Sequence, residues 1–456
     1  MTSDPNETKT VATVSGAFGL NATAANVDAQ LQLASQAQGR GNALEATAIL
    51  NRILAEDADN VEALHQLGLM ALNRDAPGEA VRLLNRAAAL DRGNALIMKN
   101  LGLAYVAVQR PDEARFVFER ALDLDPGSFI ARLHLAGVME LLGHKHQALT
   151  HYFGAVTQAQ AKGRWLNDQT TAPHLRDLVL HAMEIIDAGR RSLLVAALEP
   201  LRAEHGDAAL QRVMQCVDIF LGTAPPNYPD ARQQPKFLYF PDLPTIAFFE
   251  RDLFPWYAEL ESNFAVIREE LESVLRTEHG IEPFLKFDSA DQAGAYLAGT
   301  TVAPPVWDAF FFYRHGVRND ENCARCHRTA AIIDALPIVR IREHAPEICF
   351  SVLTPGTHIL PHRGVTNTRL VTHLPLIVPN DCAIEVGGER KVWIEGQCFT
   401  FDDTFEHEAW NRGNSTRVVM LMDCWNPYLT ELERDAVTLL VGAISDFNRE
   451  AGVASE

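Results

Sequence analysis

The stretch that decides the fold is Pro361-His362-Arg363-Gly364, followed by Arg369-Leu370-Val371-Thr372-His373, by Phe401-Asp402-Asp403-Thr404-Phe405-Glu406-His407 and by Arg417. Aromatic and β-branched residues recur around it at 307–313, 348–353, 369–378, 383–386, 391–394, 398–401 and 416–422. Turn residues separate these runs: Pro355-Gly356, Pro379-Asn380-Asp381, Gly387-Gly388 and Glu395-Gly396. Short strands divided by regular turn signals predict a double-sheet jelly roll, a double-stranded β-helix of the cupin kind. The mouth of such a barrel collects inward-facing side chains and is a common place for a small-molecule site.

The residue types in this stretch point to metal and anion chemistry. A non-haem iron oxygenase site commonly joins two histidines and a carboxylate on one face of the metal, with the carboxylate two residues after the first histidine. Here His362-Arg363-Gly364 has glycine at that place, and glycine offers a metal no side chain. On the residues alone two readings stay open: a dead site, or a metal held by His362 and His407 with water in the third position. Asp403, four residues before His407, is placed to orient such a water. Arg417 lies ten residues after His407, and a guanidinium grips a carboxylate through two parallel hydrogen bonds. A dicarboxylate such as 2-oxoglutarate, chelating iron at one end, needs such a clamp at the other, although a surface ion pair is the commoner fate of a lone arginine. Strand periodicity puts Arg369, Val371 and His373 on one face; pointing inward, that face brings a cation and an imidazole towards the metal.

From about residue 235 to the C-terminus the sequence resembles the aspartyl/asparaginyl β-hydroxylase family of Fe(II)- and 2-oxoglutarate-dependent dioxygenases. The carriers are Ser351, Pro355-Gly356-Thr357-His358, the run 361–370, His373, the run 401–408, Trp410 and Arg417, with Phe240-Pro241, Leu243-Pro244 and Phe254-Pro255-Trp256 upstream. The resemblance implies an iron held by His362 and His407 alone, which makes glycine at 364 expected, with Asp403 holding a metal-bound water. It implies that Arg417 and Ser351 bind the distal carboxylate of 2-oxoglutarate, that His373 binds its iron-side carboxylate, and that Arg369 meets the substrate. The implied reaction yields succinate and carbon dioxide and hydroxylates an unactivated carbon of a protein or peptide aspartyl or asparaginyl residue or a related acid. Animal members carry a second arginine two residues after the position of Arg369, where this chain has Val371. Bacterial members hydroxylate lipid acyl chains, so an acyl chain is one alternative; an inactive barrel carried by a partner-binding arm is another.

Working outward, 456 residues imply two or three domains, and 47% hydrophobic with 22% charged residues is ordinary globular composition. A formal charge of −19 argues against a nucleic-acid partner, which needs a basic face. No run is long enough to span a bilayer, and the polar start at Met1 lacks a secretory pattern. Seven cysteines, all beyond residue 200, are odd in number and read as reduced thiols, so a cytoplasmic location is expected.

A 34-residue period runs through 27–60, 61–94, 95–128 and 129–162. In the third unit Leu101-Gly102, Tyr105, Ala114, Phe118, Ala121 and Pro126 hold the signature places; Leu67-Gly68, Ala80, Leu84 and Ala87 match them in the second. Small residues let paired helices approach while large ones fill the gap, and the pattern resembles the tetratricopeptide repeat. Its concave surface implies a protein or peptide partner; a purely structural arm is the alternative. Helical periodicity continues from Leu175 to Leu221, and Pro225-Pro226 breaks it. The expected organisation is therefore a flexible leader at 1–26, a repeat array at 27–162, a helical bridge at 163–234 and the dioxygenase domain at 235–456. The fold class is multidomain α + β, an N-terminal α-solenoid followed by the double-stranded β-helix. Cys323-Ala324-Arg325-Cys326-His327 also fits a haem-attachment pattern. A five-residue match is unspecific, and a loop beside the pocket entrance carrying a thiol pair is expected instead.

Overall fold

The computed structural model describes residues 15–287, 289–299 and 304–453, with the backbone alone at 15–25 and 290. It divides into two compact units, one of residues up to Ile186 with Glu450–Val453, the other of Asp187–Arg449.

The first unit is built from α1 (Ser15–Gly39), α2 (Ala43–Glu56), α3 (Val61–Asn73), α4 (Pro77–Leu90), α5 (Ala95–Ala107), α6 (Pro111–Leu124), α7 (Phe129–Leu141) and α8 (Lys145–Ala161). Of the expected leader, 1–14 lies outside the described residues and the remainder is the start of α1. Asn42, Asn60 and Asn94 start α2, α3 and α5 by accepting an N–H three residues on, and Pro77 and Pro111 open α4 and α6, where a missing N–H costs nothing. Each helix pair closes over a glycine or alanine. A Cβ on Gly68 would stand 2.6 Å from Leu84 Cγ, and one on Gly102 2.6 Å from Phe118 Cε1.

In the second unit, helices Glu199–His205 and Gln211–Phe220 come first. The aromatic run 237–244 forms no strand. It makes a single bridge from Leu238 to Thr366, since Pro241 and Pro244 have no N–H for a ladder. Two helices follow, Tyr257–Ser262 and Phe264–Thr277, divided at Asn263.

The strands are β1 (Ile281–Pro283), β2 (Leu297–Ala298), β3 (Trp307–Arg314), β4 (Val317–Arg318), β5 (Ile348–Leu353), β6 (His358–His362), β7 (Arg369–Ile377), β8 (Cys382–Val386), β9 (Glu389–Lys391), β10 (Phe399–Phe401), β11 (His407–Asn411) and β12 (Arg417–Trp425). They form two antiparallel sheets, ordered β1-β3-β5-β12-β7-β10, with β4 on β3, and β2-β6-β11-β8-β9. Gly387 and Gly388, both at positive φ, make the tight turn from β8 to β9. Strand alternation sorts the larger sheet into two faces. Val418, Met420, Met422, Leu370 and Leu374 pack on the side of helices Phe264–Thr277 and His327–Ala335. Val419, Val371, Phe399 and Phe401 pack against Ile359, Ile384, Val386 and Ala409 of the smaller sheet. Arg417, Arg369 and His373 share the inter-sheet face by the same period of two.

The Cys323-x-x-Cys326 stretch is not a loop. Cys323 lies in helix Asp320–Arg325 and Cys326 in the turn that joins it to helix His327–Ala335, with both thiols buried in the core behind the larger sheet and Cys323 Sγ donating to the Phe312 carbonyl. Burial pushes both thiols up, Cys326 to about 12, so neither is poised as a thiolate.

Gly102→Ala tests the close approach in the first unit. Helix propensity favours alanine by about 1 kcal/mol, whereas forcing a methyl against a buried ring costs roughly 1–3 kcal/mol. Overpacking wins, and the variant is expected to unfold at lower urea concentration with an unchanged m-value.

Candidate functional site

β6 and β11 lie side by side with His362 and His407 as register partners. Their rings stand 4.1 Å apart between centroids. His362 Nδ1 is 2.8 Å from the Leu360 carbonyl and His407 Nδ1 is 3.0 Å from the Phe405 carbonyl. A carbonyl only accepts, so both protons sit on Nδ1 and both Nε2 atoms carry lone pairs. Burial holds both rings neutral, taking His407 down to about 3 with the His362 ring as a second cause. Among the described residues no group of three His, Cys, Asp or Glu side chains is arranged to hold a metal, so the site offers a metal two neutral imidazoles.

Asp403 stands in the turn before β11. The Gly364 N–H donates to its carbonyl at 2.6 Å, and a Cβ at 364 would lie 2.1 Å from its Oδ2. The Asp403 carboxylate therefore occupies the space that a side chain at 364 would need. Burial raises it to about 7 against the opposing pull of Arg369, and its Oδ1 has no hydrogen-bond partner.

Arg417 opens β12 and is buried at 2% exposure. Its Nη1 lies 3.4 Å from both the carbonyl and Oγ of Ser351 on β5, its Nε has no partner, and its guanidinium stacks 4.9 Å from the Trp393 ring centroid. Burial lowers it to about 10. Trp307 Nε1 donates to Ser351 Oγ at 3.0 Å. Across the cleft, His373 on β7 accepts the Trp393 Nε1–H at its Nδ1, 3.2 Å away, and burial keeps it neutral.

Arg369 is not a free cation. Its Nη1 is held by Asp423 of β12, whose Oδ2 also accepts the Glu347 N–H at 2.7 Å. Glu347 in turn accepts the His315 N–H at 2.9 Å, and burial raises its carboxyl to about 7. One cavity of about 640 Å³ gathers all seven residues singled out from the sequence: His362, His407, Asp403, Ser351, Arg417, His373 and Arg369. Trp393, Asp423 and Glu347 were not among them. Asp423 had a signal, since it shares the period-two face of β12 with Arg417; Trp393, a buried ring between the exposed Val392 and Ile394, had none in the sequence.

Comparison with known proteins finds a family match in each of the two regions. Residues 261–427 match the aspartyl/asparaginyl beta-hydroxylase family model, and 95–128 match the tetratricopeptide repeat. The chain thus carries a domain of the aspartyl/asparaginyl beta-hydroxylase family together with tetratricopeptide repeats. It is 35% identical over 209 residues, 45% of this chain and 54% of the relative, to aspartate beta-hydroxylase domain-containing protein 2 of Xenopus tropicalis. It is 37% identical to the aspartyl/asparaginyl beta-hydroxylase of Homo sapiens, over 28% of this chain and 17% of that one. To the ornithine lipid ester-linked acyl 2-hydroxylase of Rhizobium tropici it is 35% identical, over 39% of this chain and 60% of that one. The chain spans about half the length of the first of these relatives.

Glu347 gives a pH dependence with a defined sign. Its folded value, about 7, lies above the ordinary 4.5, so the folded state keeps a proton that the unfolded chain releases. Stability due to this group is intact below about pH 4.5 and falls as pH rises through the window to 7, by roughly 3 kcal/mol at most. Glu347→Gln keeps an acceptor for the His315 N–H. It is expected to be more stable than the parent above pH 7 and no more stable at pH 4, read from urea midpoints at the two pH values.

Proposed function

We propose that the second unit is an Fe(II)- and 2-oxoglutarate-dependent hydroxylase, its two sheets the halves of a double-stranded β-helix, and that the repeats dock a protein or peptide. The observation that carries this reading is Arg417. It is a buried guanidinium lining the cavity, and among the described residues no carboxylate pairs with it. A buried charge without a counter-charge is costly, so the cation fits a carboxylate that arrives with a ligand.

The residues fit both groups. Two neutral imidazoles with adjacent Nε2 lone pairs suit a metal that keeps its other positions for water and co-substrate. The unpartnered Asp403 Oδ1 suits a hydrogen bond from a metal-bound water. Iron and 2-oxoglutarate, when bound, would activate dioxygen, the oxidant of the reaction, one oxygen atom going to succinate as 2-oxoglutarate loses carbon dioxide and the other to the hydroxylated carbon. The chain's own part is positional: Arg417 and Ser351 take the distal carboxylate, His373 donates to the carboxylate on the metal side, and Val371, Phe401 and Leu421 exclude water. Arg369 meets the substrate, an aspartyl or asparaginyl residue or a related acid. Because Asp423 already neutralises it, a neutral carbonyl acceptor suits this guanidinium better than a second carboxylate.

A second reading, an acyl-chain hydroxylase, draws on the apolar side of the cavity, where Phe237, Phe284, Ile341 and Val441 lie, and on the Rhizobium relative. An ester carbonyl would meet Arg369 as an amide does.

Anaerobic titration with Fe(II) and then 2-oxoglutarate tests the chemistry through the weak metal-to-ligand absorption band. His362→Ala is expected to abolish iron binding. Arg417→Ala should keep iron while weakening 2-oxoglutarate by about two to three orders of magnitude. A parent protein with neither the band nor succinate formation under oxygen would sink the reading. Stimulation of succinate release by asparaginyl peptides or by acyl-ester lipids decides between the substrates.

A further inference from the structure

Trp393 touches both residues that the proposed function assigns to the two ends of the co-substrate. It follows β9, is buried at 3% exposure, and belongs to the core between the sheets. Its indole N–H faces His373 Nδ1 at 3.2 Å, and its ring lies under the Arg417 guanidinium at 4.9 Å. An indole nitrogen donates and never accepts, so the direction of that hydrogen bond is fixed, as it would not be with a hydroxyl or an amide. His373 Nδ1 must therefore be the acceptor. The ring is neutral, held so by burial and by the neighbouring Arg417 charge, and its one remaining proton must sit on Nε2.

We infer that Trp393 is a positioning residue for 2-oxoglutarate: its N–H locks His373 in the tautomer that presents Nε2–H to the metal-side carboxylate, while its ring face fixes the plane of Arg417. The inference rests on the co-substrate reading above. With the indole N–H removed, His373 is free to move its proton to Nδ1, and Nε2 then turns a lone pair towards an anion. A carboxylate that had a donor now faces repulsion, and the cost falls on co-substrate binding, not on metal binding. Trp393 differs in this from Trp307, whose N–H reaches Ser351 Oγ and leaves the imidazole untouched. The arrangement also couples the two ends of the co-substrate. The cation–π contact orients a buried charge, and such contacts are strongest where the cation is desolvated.

Trp393→Phe tests it, keeping an aromatic face for Arg417 and deleting the N–H. Two measurements are needed. The first is the ¹⁵N spectrum of His373 in protein free of metal and co-substrate, which reports the tautomer directly. The parent is expected to show Nε2–H, and the variant a mixture or Nδ1–H. The second is anaerobic titration of the Fe(II)-loaded protein with 2-oxoglutarate. The variant is expected to bind it about ten- to a hundredfold more weakly, the usual cost of losing a partner that orients a binding imidazole, with Fe(II) affinity unchanged. In a His373→Gln background the same substitution should cost much less; undiminished losses there would mean that Trp393 serves packing alone. A variant that keeps the Nε2–H tautomer and the parent's 2-oxoglutarate affinity overturns the inference. A parent that binds no 2-oxoglutarate overturns the co-substrate reading instead, while a tautomer shift in the variant would still establish the lock on His373.

Discussion

A guanidinium buried without a carboxylate is the constraint on which the second unit turns. Arg417 sits at the first position of β12, between β5 and β7 in the larger sheet. Its neighbours solvate it only partly: two long contacts to Ser351 and one aromatic face. None supplies a negative charge, and burial weakens its hold on its proton. Such an arrangement is poor for stability, since a hydrophobic residue of similar size would pack there at no electrostatic cost. Its persistence inside a cavity that also holds two unprotonated imidazoles makes sense as a site prepared for an anion.

The second constraint is steric. A carboxylate two residues after His362 would complete a three-ligand metal face, and position 364 has no room for one. Asp403 Oδ2 stands where the first side-chain atom would go, and the Gly364 N–H is engaged by the Asp403 carbonyl. The glycine and the aspartate are thus one feature. The carboxylate is delivered from the β11 side of the cleft, set back from the ligand position, and keeps one oxygen unpaired. A decayed three-ligand site would leave a hole at 364, whereas here the space is filled by a polar group facing the cavity, which favours the proposed two-imidazole site.

Much of this was legible in the residues, and the parts that were not share a cause. The repeat helices follow a period enforced by small residues at helix crossings, and a steric requirement of that kind is visible without coordinates. β5, β7, β10 and β12 read as strands because both of their faces are covered, which makes them near-continuous runs of apolar and aromatic residues. β6 and β11, which carry His362 and His407, do not read as strands. β6 is short and contains Pro361, and β11 spends its inward places on His407 and Ala409, so neither shows an apolar rhythm. Strands that line a polar cavity lose the pattern by which strands are recognised. Trp393 was hidden for another reason: a residue that acts by fixing the proton of a histidine twenty positions away leaves no motif, and only the distance between Nε1 and Nδ1 reveals it.

The far end of the cavity bears on the choice of substrate. The resemblance implies that Arg369 meets the substrate, with Val371 where animal members carry a second arginine. Asp423 changes that argument, because a carboxylate buried at 1% exposure already holds the guanidinium. A substrate carboxylate at Arg369 would stand beside Asp423, and beside Glu347 wherever that group is ionised, so each further negative charge raises the cost. A carbonyl oxygen meets the same N–H groups without that repulsion. Since Glu347 sheds its proton near pH 7, the discrimination should sharpen as pH rises through neutrality. The cation that looked like an acid-binding residue thus works within a nearly neutral pair, and selectivity passes to the shape of the apolar wall around Val371.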